Sequence, residues 1–267
     1  MNVKSAHTPM SQDEIRKAAP SAFTEKPAEN VSKHYSYIST KRVMDDMEKL
    51  GWEVVDAKEI KARKGKGFQK HLIVFGNPNL QIDGADGDTV FPRILLTNSH
   101  NGKNAFTFTA GLFRLICSNG LVISDTEFGS MKIRHMGYDF ETLQTTINEM
   151  VEKLPLTVEC MNRLKSKVMT WDEKEKFALE AIGLRVDTET NTVSVAELLE
   201  PTRKEDKGDS LWSVYNVVQE KLIHGMFNYS YASNFGKDKE RKARRVKNFQ
   251  QDMQINSDLY SLALQYA

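Results

Sequence analysis

Three groups of residues in this chain have the types and spacing that chemistry needs. The first is Ser99-His100, a hydroxyl beside an imidazole inside the stretch TNSHNGKN, the pair that a serine nucleophile and its general base require. The second is Arg114 with Cys117, which would share a face if the segment is helical; a nearby cation lowers a thiol's pKa and raises its reactivity. The third group is cationic. Lys61, Arg63, Lys64, Lys66 and Lys70 stand together without an acid, beside Phe68, and Lys237, Lys239, Arg241, Lys242, Arg244, Arg245 and Lys247 face only Asp238 and Glu240. The aromatic run FNYSYASNF, with Phe227, Tyr229, Tyr231 and Phe235, precedes the second basic stretch. Cations that neutralise phosphates and rings that stack on bases are what a single-stranded nucleic acid requires.

The elements that must position these groups discriminate among them. Asn101-Gly102 lies between two strand-like runs and signals a two-residue hairpin turn with positive φ. In that register His100 pairs with Lys103 and Ser99 with Asn104. Ser99 and His100 then point to opposite faces, which separates nucleophile from base and leaves the tip to touch a partner. The run AGLFRLICS carries Leu112, Leu115 and Ile116 at helical spacing and ends at Asn119-Gly120, which predicts a short buried helix. Cys117 in that run reads as a small inert hydrophobe. Arg114 must find a carboxylate, carbonyl groups or a ligand phosphate. At helical spacing Arg241, Arg244 and Arg245 would form one cationic edge.

Elsewhere the periodicities are plainer. Ser39 or Thr40 caps a helix that stops at Gly51, a strand runs from Trp52 to Ile60, and a hairpin with a basic tip returns through LIVFG. Residues 76–88 form a turn-rich loop, and FPRILLT and AFTF are strands. Strands at Leu121 to Ser124 and at SMKIRHMG should pair with each other. From Asp139 onward the pattern is helical: Pro155 interrupts the first stretch, Thr170 and Glu173 make a capping box, Ser194 opens a short helix, and Leu211, Trp212, Tyr215, Val218 and Leu222 lead to a stop at Gly225. A last helix is expected from Ser257 or Asp258 to Gln265. The expectation is an α+β fold, with an antiparallel β-sheet built from hairpins in the N-terminal half and helices in the C-terminal half. It comprises a flexible arm over residues 1–33 and a single domain over 34–267, sheet-rich to about 138 and helical from about 139.

Bulk properties exclude rather than identify. The 267 residues carry 37 Lys and Arg against 36 Asp and Glu, so attraction to a polyanion must come from local patches. Two cysteines far apart do not make a disulfide framework, and no apolar run suits a signal peptide or a membrane span, which points to a cytoplasmic protein. The six histidines are scattered and Asp83, Asp86 and Asp88 lack the closing glutamate of a calcium loop, so neither a metal nor a cofactor is expected.

Asn98-Ser99-His100-Asn101-Gly102, then Phe113-Arg114-Leu115, Cys117 and Asn119-Gly120, resemble the phage/plasmid-like protein family, domain of unknown function 932, from about Tyr35 to the C-terminus. The resemblance implies a mobile-element protein of a bacterial cytoplasm and assigns no residue a role. The leading expectation is a phage or plasmid protein that binds or anneals single-stranded DNA in replication or recombination, as an oligomer and away from membranes. Its contacts would be the two basic stretches and Arg114. The alternatives are an interaction protein that binds a host factor such as a defence component, and an enzyme with a site near Arg114, Cys117 and His100.

Overall fold

The computed structural model describes residues 8–61, 67–83, 89–114, 120–122, 130–133, 138–232 and 238–267. The fold is α+β, and the chain forms two units, Met1–Leu154 and Pro155–Ala267, rather than the single domain expected over 34–267. The division falls where helix α3 (Phe140–Glu152) gives way at Lys153 to α4 (Leu154–Ser166). Proline is accepted in the first turn of α4, where its missing N–H has no helical partner to lose.

Unit 1 is built on an antiparallel sheet. Strands β1 (Glu53–Glu59), β2 (His71–Gly76), β4 (Thr89–Asn98) and β5 (Phe106–Arg114) lie in that order, and short β3 (Ile82–Asp83) pairs with β4. Two short strands, β6 (Gly120–Val122) and β7 (Ser130–Ile133), both pair with β5, and among the described residues they do not show the expected pairing with each other. Alternate residues Ile73 and Phe75, Ile94 and Leu96, Phe106 and Phe108 join one buried core. Onto it pack α2 (Thr40–Lys49), capped by Ser39, through Val43 and Met47, and α3 through Leu143, Ile147 and Met150.

Two expectations for unit 1 are overturned. Residues 110–114, read as the start of a buried helix, are the end of β5: β4 pairs with it from Val90 to Thr97, and this long ladder overrides the helical spacing of the leucines. The remainder of that expected helix, residues 115–119 with Cys117, lies outside the described residues. Residues 8–33 do not form a free arm. Ser11 caps α1 (Gln12–Ala18) in a capping box, a 3-10 turn follows at Pro20–Phe23, and Ile15, Ala19 and Ala22 are buried in the core of the sheet. Backbone hydrogen bonds from Met10 to Val54 and from Ala28 to His100 fasten this segment at both ends.

Unit 2 holds the expected helices together with a sheet that periodicity did not predict. After α4 come α5 (Trp171–Ile182) with its Thr170 capping box, strand β8 (Asn191–Val193), α6 (Val195–Leu199) capped by Ser194, and α7 (Leu211–His224). Strands β9 (Asn228–Ala232) and β10 (Asp238–Lys242) follow, and β9 lies between β8 and β10. The last helix, α8 (Phe249–Tyr266), starts at its Asn248 cap, earlier than Ser257. Helix α7 is buried on almost every side, and Leu222 of α7, Phe177 of α5 and Leu259 of α8 are inaccessible to solvent. It ends at Gly225 in the left-handed conformation, φ 67°.

Candidate nucleic-acid interface

The sheet of unit 2 sorts side chains by the pleat of its strands. Tyr229 and Tyr231 are two residues apart on β9 and therefore share a face, with ring centroids 6.4 Å apart. The register sets Arg241 of β10 opposite Tyr229 and Lys239 opposite Tyr231, while Glu240 pairs with Ser230 and falls on the other face. On the opposite side of β9, Val193 and Asn191 of β8 stand beside the same tyrosines. The result is a face of two half-exposed rings flanked by two exposed cations, from which the alternating acid at 240 is excluded.

A cleft of about 430 Å³ opens beside this face, between the Arg185–Asp187 turn and the chain that leaves β10. Four cations line it, Arg185, Arg241, Lys242 and Arg244, against one acid, Asp187. The Asp187 carboxylate is engaged within its own turn, where it accepts from the Glu189 N–H at 3.0 Å and the Thr190 hydroxyl at 2.9 Å. Arg185 donates through Nη2 to the Arg244 carbonyl at 2.7 Å, and its Nε is buried without a hydrogen-bond partner among the described residues. An unmet buried donor costs about 1–3 kcal/mol. Burial pushes the Arg185 guanidinium below the usual arginine range.

The far wall is fixed at three points. Ala243 N–H donates to the Phe227 carbonyl at 2.9 Å, Val246 N–H to the Ile223 carbonyl at 2.8 Å, and the Arg185 bond holds Arg244 between them. Gly225 permits the approach, since a Cβ there would lie 2.5 Å from the Arg244 carbonyl carbon and 2.8 Å from two carbonyl oxygens.

A second polar cluster, in unit 1, has the opposite character. Ser21, Thr40, His71, Asn98, Ser99 and His100 are all fully buried. The His71 ring lies between the Ser21 hydroxyl, 2.9 Å from Nδ1, and the Thr40 hydroxyl, 2.8 Å from Nε2. Asn98 donates to Thr40 Oγ1 at 3.0 Å and accepts from the Ser99 N–H at 2.8 Å, and the His100 ring is 5.3 Å from that of His71. Burial pushes the His71 imidazole down to about 3, and the neighbouring His100 adds to the shift, so the His71 ring is best accommodated neutral. A cleft of about 720 Å³ in unit 1 is internally matched. Lys41 pairs with Asp45, Arg42 and Lys49 pair with Asp46 at 3.8 and 2.7 Å, and Arg16 lies over the Phe23 ring at 4.1 Å.

The predicted site residues divide accordingly. Arg241 and Arg244 meet at the unit 2 cleft, and Arg245 and Lys247 are exposed just beyond it. They share no helical edge, because β10 and residues 243–248 are extended or irregular where a helix was expected. Arg245 does act on its surroundings: after burial, its charge is the next cause that lowers the His224 pKa. In the first basic stretch Lys61 is exposed and Lys70 half-buried, with burial lowering the pKa of its ammonium. Arg63, Lys64, Lys66 and Lys237 lie outside the described residues, as does Cys117, and of Arg114 the backbone alone is placed, opposite Val90.

The expected two-residue hairpin is wider. The β4–β5 ladder ends where Thr97 pairs with Thr107, and residues 99–105 form the connection, so His100 does not pair with Lys103. His100 is buried and is not a tip. Ser99 and His100 do not pair: the Ser99 hydroxyl donates to Asn101 Oδ1 at 3.0 Å, while His100 Nε2 lies 3.5 Å from Thr40 Oγ1. Two arginines escaped the sequence reading. Arg185 sits past the Gly183 helix stop, without neighbouring cations to mark it. Arg93, 5% exposed within β4 and pushed down to about 10 by burial, belongs to an apolar run like that of Arg114 and was open to the same argument.

An α+β protein with a tyrosine and arginine face on a small second sheet is the class this geometry defines. By its sequence the chain belongs to the family described as Domain of unknown function (DUF932), whose model matches residues 27–259. It is 25% identical to UPF0380 protein YfjQ and 26% identical to UPF0380 protein YafZ, both of Escherichia coli (strain K12), each over 96% of this chain and 90% of the relative. No solved structure matches it. Among the described residues no helix is long and apolar enough to cross a membrane.

Proposed function

We propose that the protein binds single-stranded nucleic acid, with single-stranded DNA as the first substrate to test, on the tyrosine face of the β8–β9–β10 sheet. The observation that carries this reading is the cross-strand match of Tyr229 with Arg241 and Tyr231 with Lys239. Phosphates are neutralised by the cations while base faces stack on the rings, an arrangement tolerant of sequence. The spacing favours an extended strand over a duplex. Rings 6.4 Å apart exceed the rise of about 3.4 Å between stacked bases of a duplex strand, so they suit bases that have been drawn apart. Such binding, by copies assembled along one strand in a bacterial cytoplasm, would serve annealing during replication or recombination of a phage or plasmid; that wider role rests on family resemblance.

Fluorescence anisotropy of a labelled single-stranded oligonucleotide, measured across a salt series, tests the reading. Affinity should fall steeply with salt, and Lys239→Gln with Arg241→Gln should reduce the log–log slope by about 2. Tyr229→Ala or Tyr231→Ala should weaken binding about tenfold at unchanged slope. Absence of binding at low salt would sink the proposal, as would binding to a protein partner that is indifferent to both salt and nuclease.

A further inference from the structure

The proposed strand-binding face ends in a cleft whose charge exceeds what a passing strand supplies. Arg185, Arg241 and Arg244 line it against Asp187, whose carboxylate oxygens are held by the Glu189 N–H and the Thr190 hydroxyl, while Lys242 follows Arg241 on β10 and alternates to the other face. An internal phosphodiester brings one negative charge, whereas a terminal phosphate carries about −1.5 to −2 near pH 7 and offers three strong acceptor oxygens. Arginine is suited to such a group, because its planar fork meets phosphate oxygens in pairs. Arg185 is already oriented. Its Nη2 is fixed on the Arg244 carbonyl, which holds the guanidinium plane in place at the edge of the cleft before any ligand arrives.

Size and shape agree with the charge. About 430 Å³ lies near the lower end of the range for small-molecule sites, roughly 300–1,000 Å³, and is adequate for one nucleotide. Tyr229 lines the same cleft as Arg241, so a base and its phosphate can be contacted from one β-strand pair. The wall at Ala243 and Arg244 is pinned at three points before any ligand arrives, which reduces the ordering cost of binding.

From this we infer that the cleft between Arg185 and Arg244 is a phosphate-monoester subsite for a single nucleotide, either the phosphorylated end of a strand or a free mononucleotide. The inference rests on the strand-binding reading and adds an end preference to it. The test uses the full chain and two labelled single-stranded oligonucleotides that differ only in a 5′-phosphate, with unlabelled nucleoside 5′-monophosphate and inorganic phosphate as competitors. The phosphorylated strand should bind about tenfold more tightly. Arg241→Gln, at an exposed strand position, should abolish that preference. Arg185→Lys, which keeps the charge but loses the fork, should reduce it, and melting curves identify any variant that fails to fold.

Competition by the mononucleotide at lower concentration than by inorganic phosphate supports a nucleotide subsite and identifies the free molecule as a ligand in its own right. Equal potency of the two competitors overturns the nucleotide assignment. Equal affinity for the two strands overturns the end preference while leaving strand binding intact. If neither strand binds, the strand-binding reading fails as well.

Discussion

The polar side chains of unit 1 close on one another, whereas those of the unit 2 sheet stand open. Around His71, every named hydroxyl and amide lies within hydrogen-bonding reach of another group in the protein, and all of these side chains are fully buried. Around Arg241, cations and rings face outward with a surplus of positive charge. Histidine, serine and asparagine are the residues usually suspected of chemistry, yet here they hold a chain segment against a sheet. A residue's type fixes what it can do, and burial decides whether it meets a ligand at all.

Three experiments can break or sharpen this contrast. The largest effect is expected from Gly225→Val, which demands a positive φ of a branched residue and drives its Cβ into the Arg244 backbone. Stability should fall by about 3–5 kcal/mol in urea titrations, and strand affinity should be lost with the displaced wall. A variant of wild-type stability that still binds would refute the pinned wall. Next, Asn98→Ala removes two donor contacts and one acceptor within a buried cluster, and should cost about 2–3 kcal/mol. If the contrast holds, Asn98→Ala leaves oligonucleotide affinity at 25 °C within twofold; a large loss of affinity in a folded variant would mean that the two regions act together.

The smallest effect concerns pH. His71 is neutral in the folded protein down to about pH 3, while the unfolded chain takes up a proton near pH 6.5. The contribution is therefore fully present above about pH 6.5 and is lost as pH falls toward 3, at about 1.4 kcal/mol per pH unit. Unfolding free energies from urea titrations at pH 7.5 and 5 should differ by about 2 kcal/mol, and His71→Gln should flatten the dependence. A wild-type slope unchanged by that substitution would show that other groups govern it.

Local signals in the sequence were reliable where one side chain acts on its own turn. Ser39, Asp139, Thr170 and Ser194 cap the helices expected of them, and Gly225 ends α7. The α+β class followed from those caps and from the alternation of β2, β4 and β5. What escaped depends on partners distant in the chain. Leu112 has helical company on either side, but β4 claims its backbone, and Arg241 falls at helical spacing from Arg245 although β9 holds it extended. His100 sits beside an Asn-Gly turn signal and is buried, with the Tyr37 ring 5.0 Å away and Thr40, 60 residues earlier, beside its Nε2. The basic and aromatic residues of the candidate site were therefore legible as a composition. Their pairing across strands, and the part played by Arg185, were not.

The alternation along β10, Asp238-Lys239-Glu240-Arg241, also carries an evolutionary consequence. The sign of the charge beside the tyrosines is set by parity: one residue added to or removed from the connection between β9 and β10, with the strands still paired, would bring the acids opposite the rings and turn the lysine and arginine away. Lineages that use this face should therefore keep a cation at 239 and an arginine at 241, and a change of length in that connection should survive only where the register of β10 against β9 is kept.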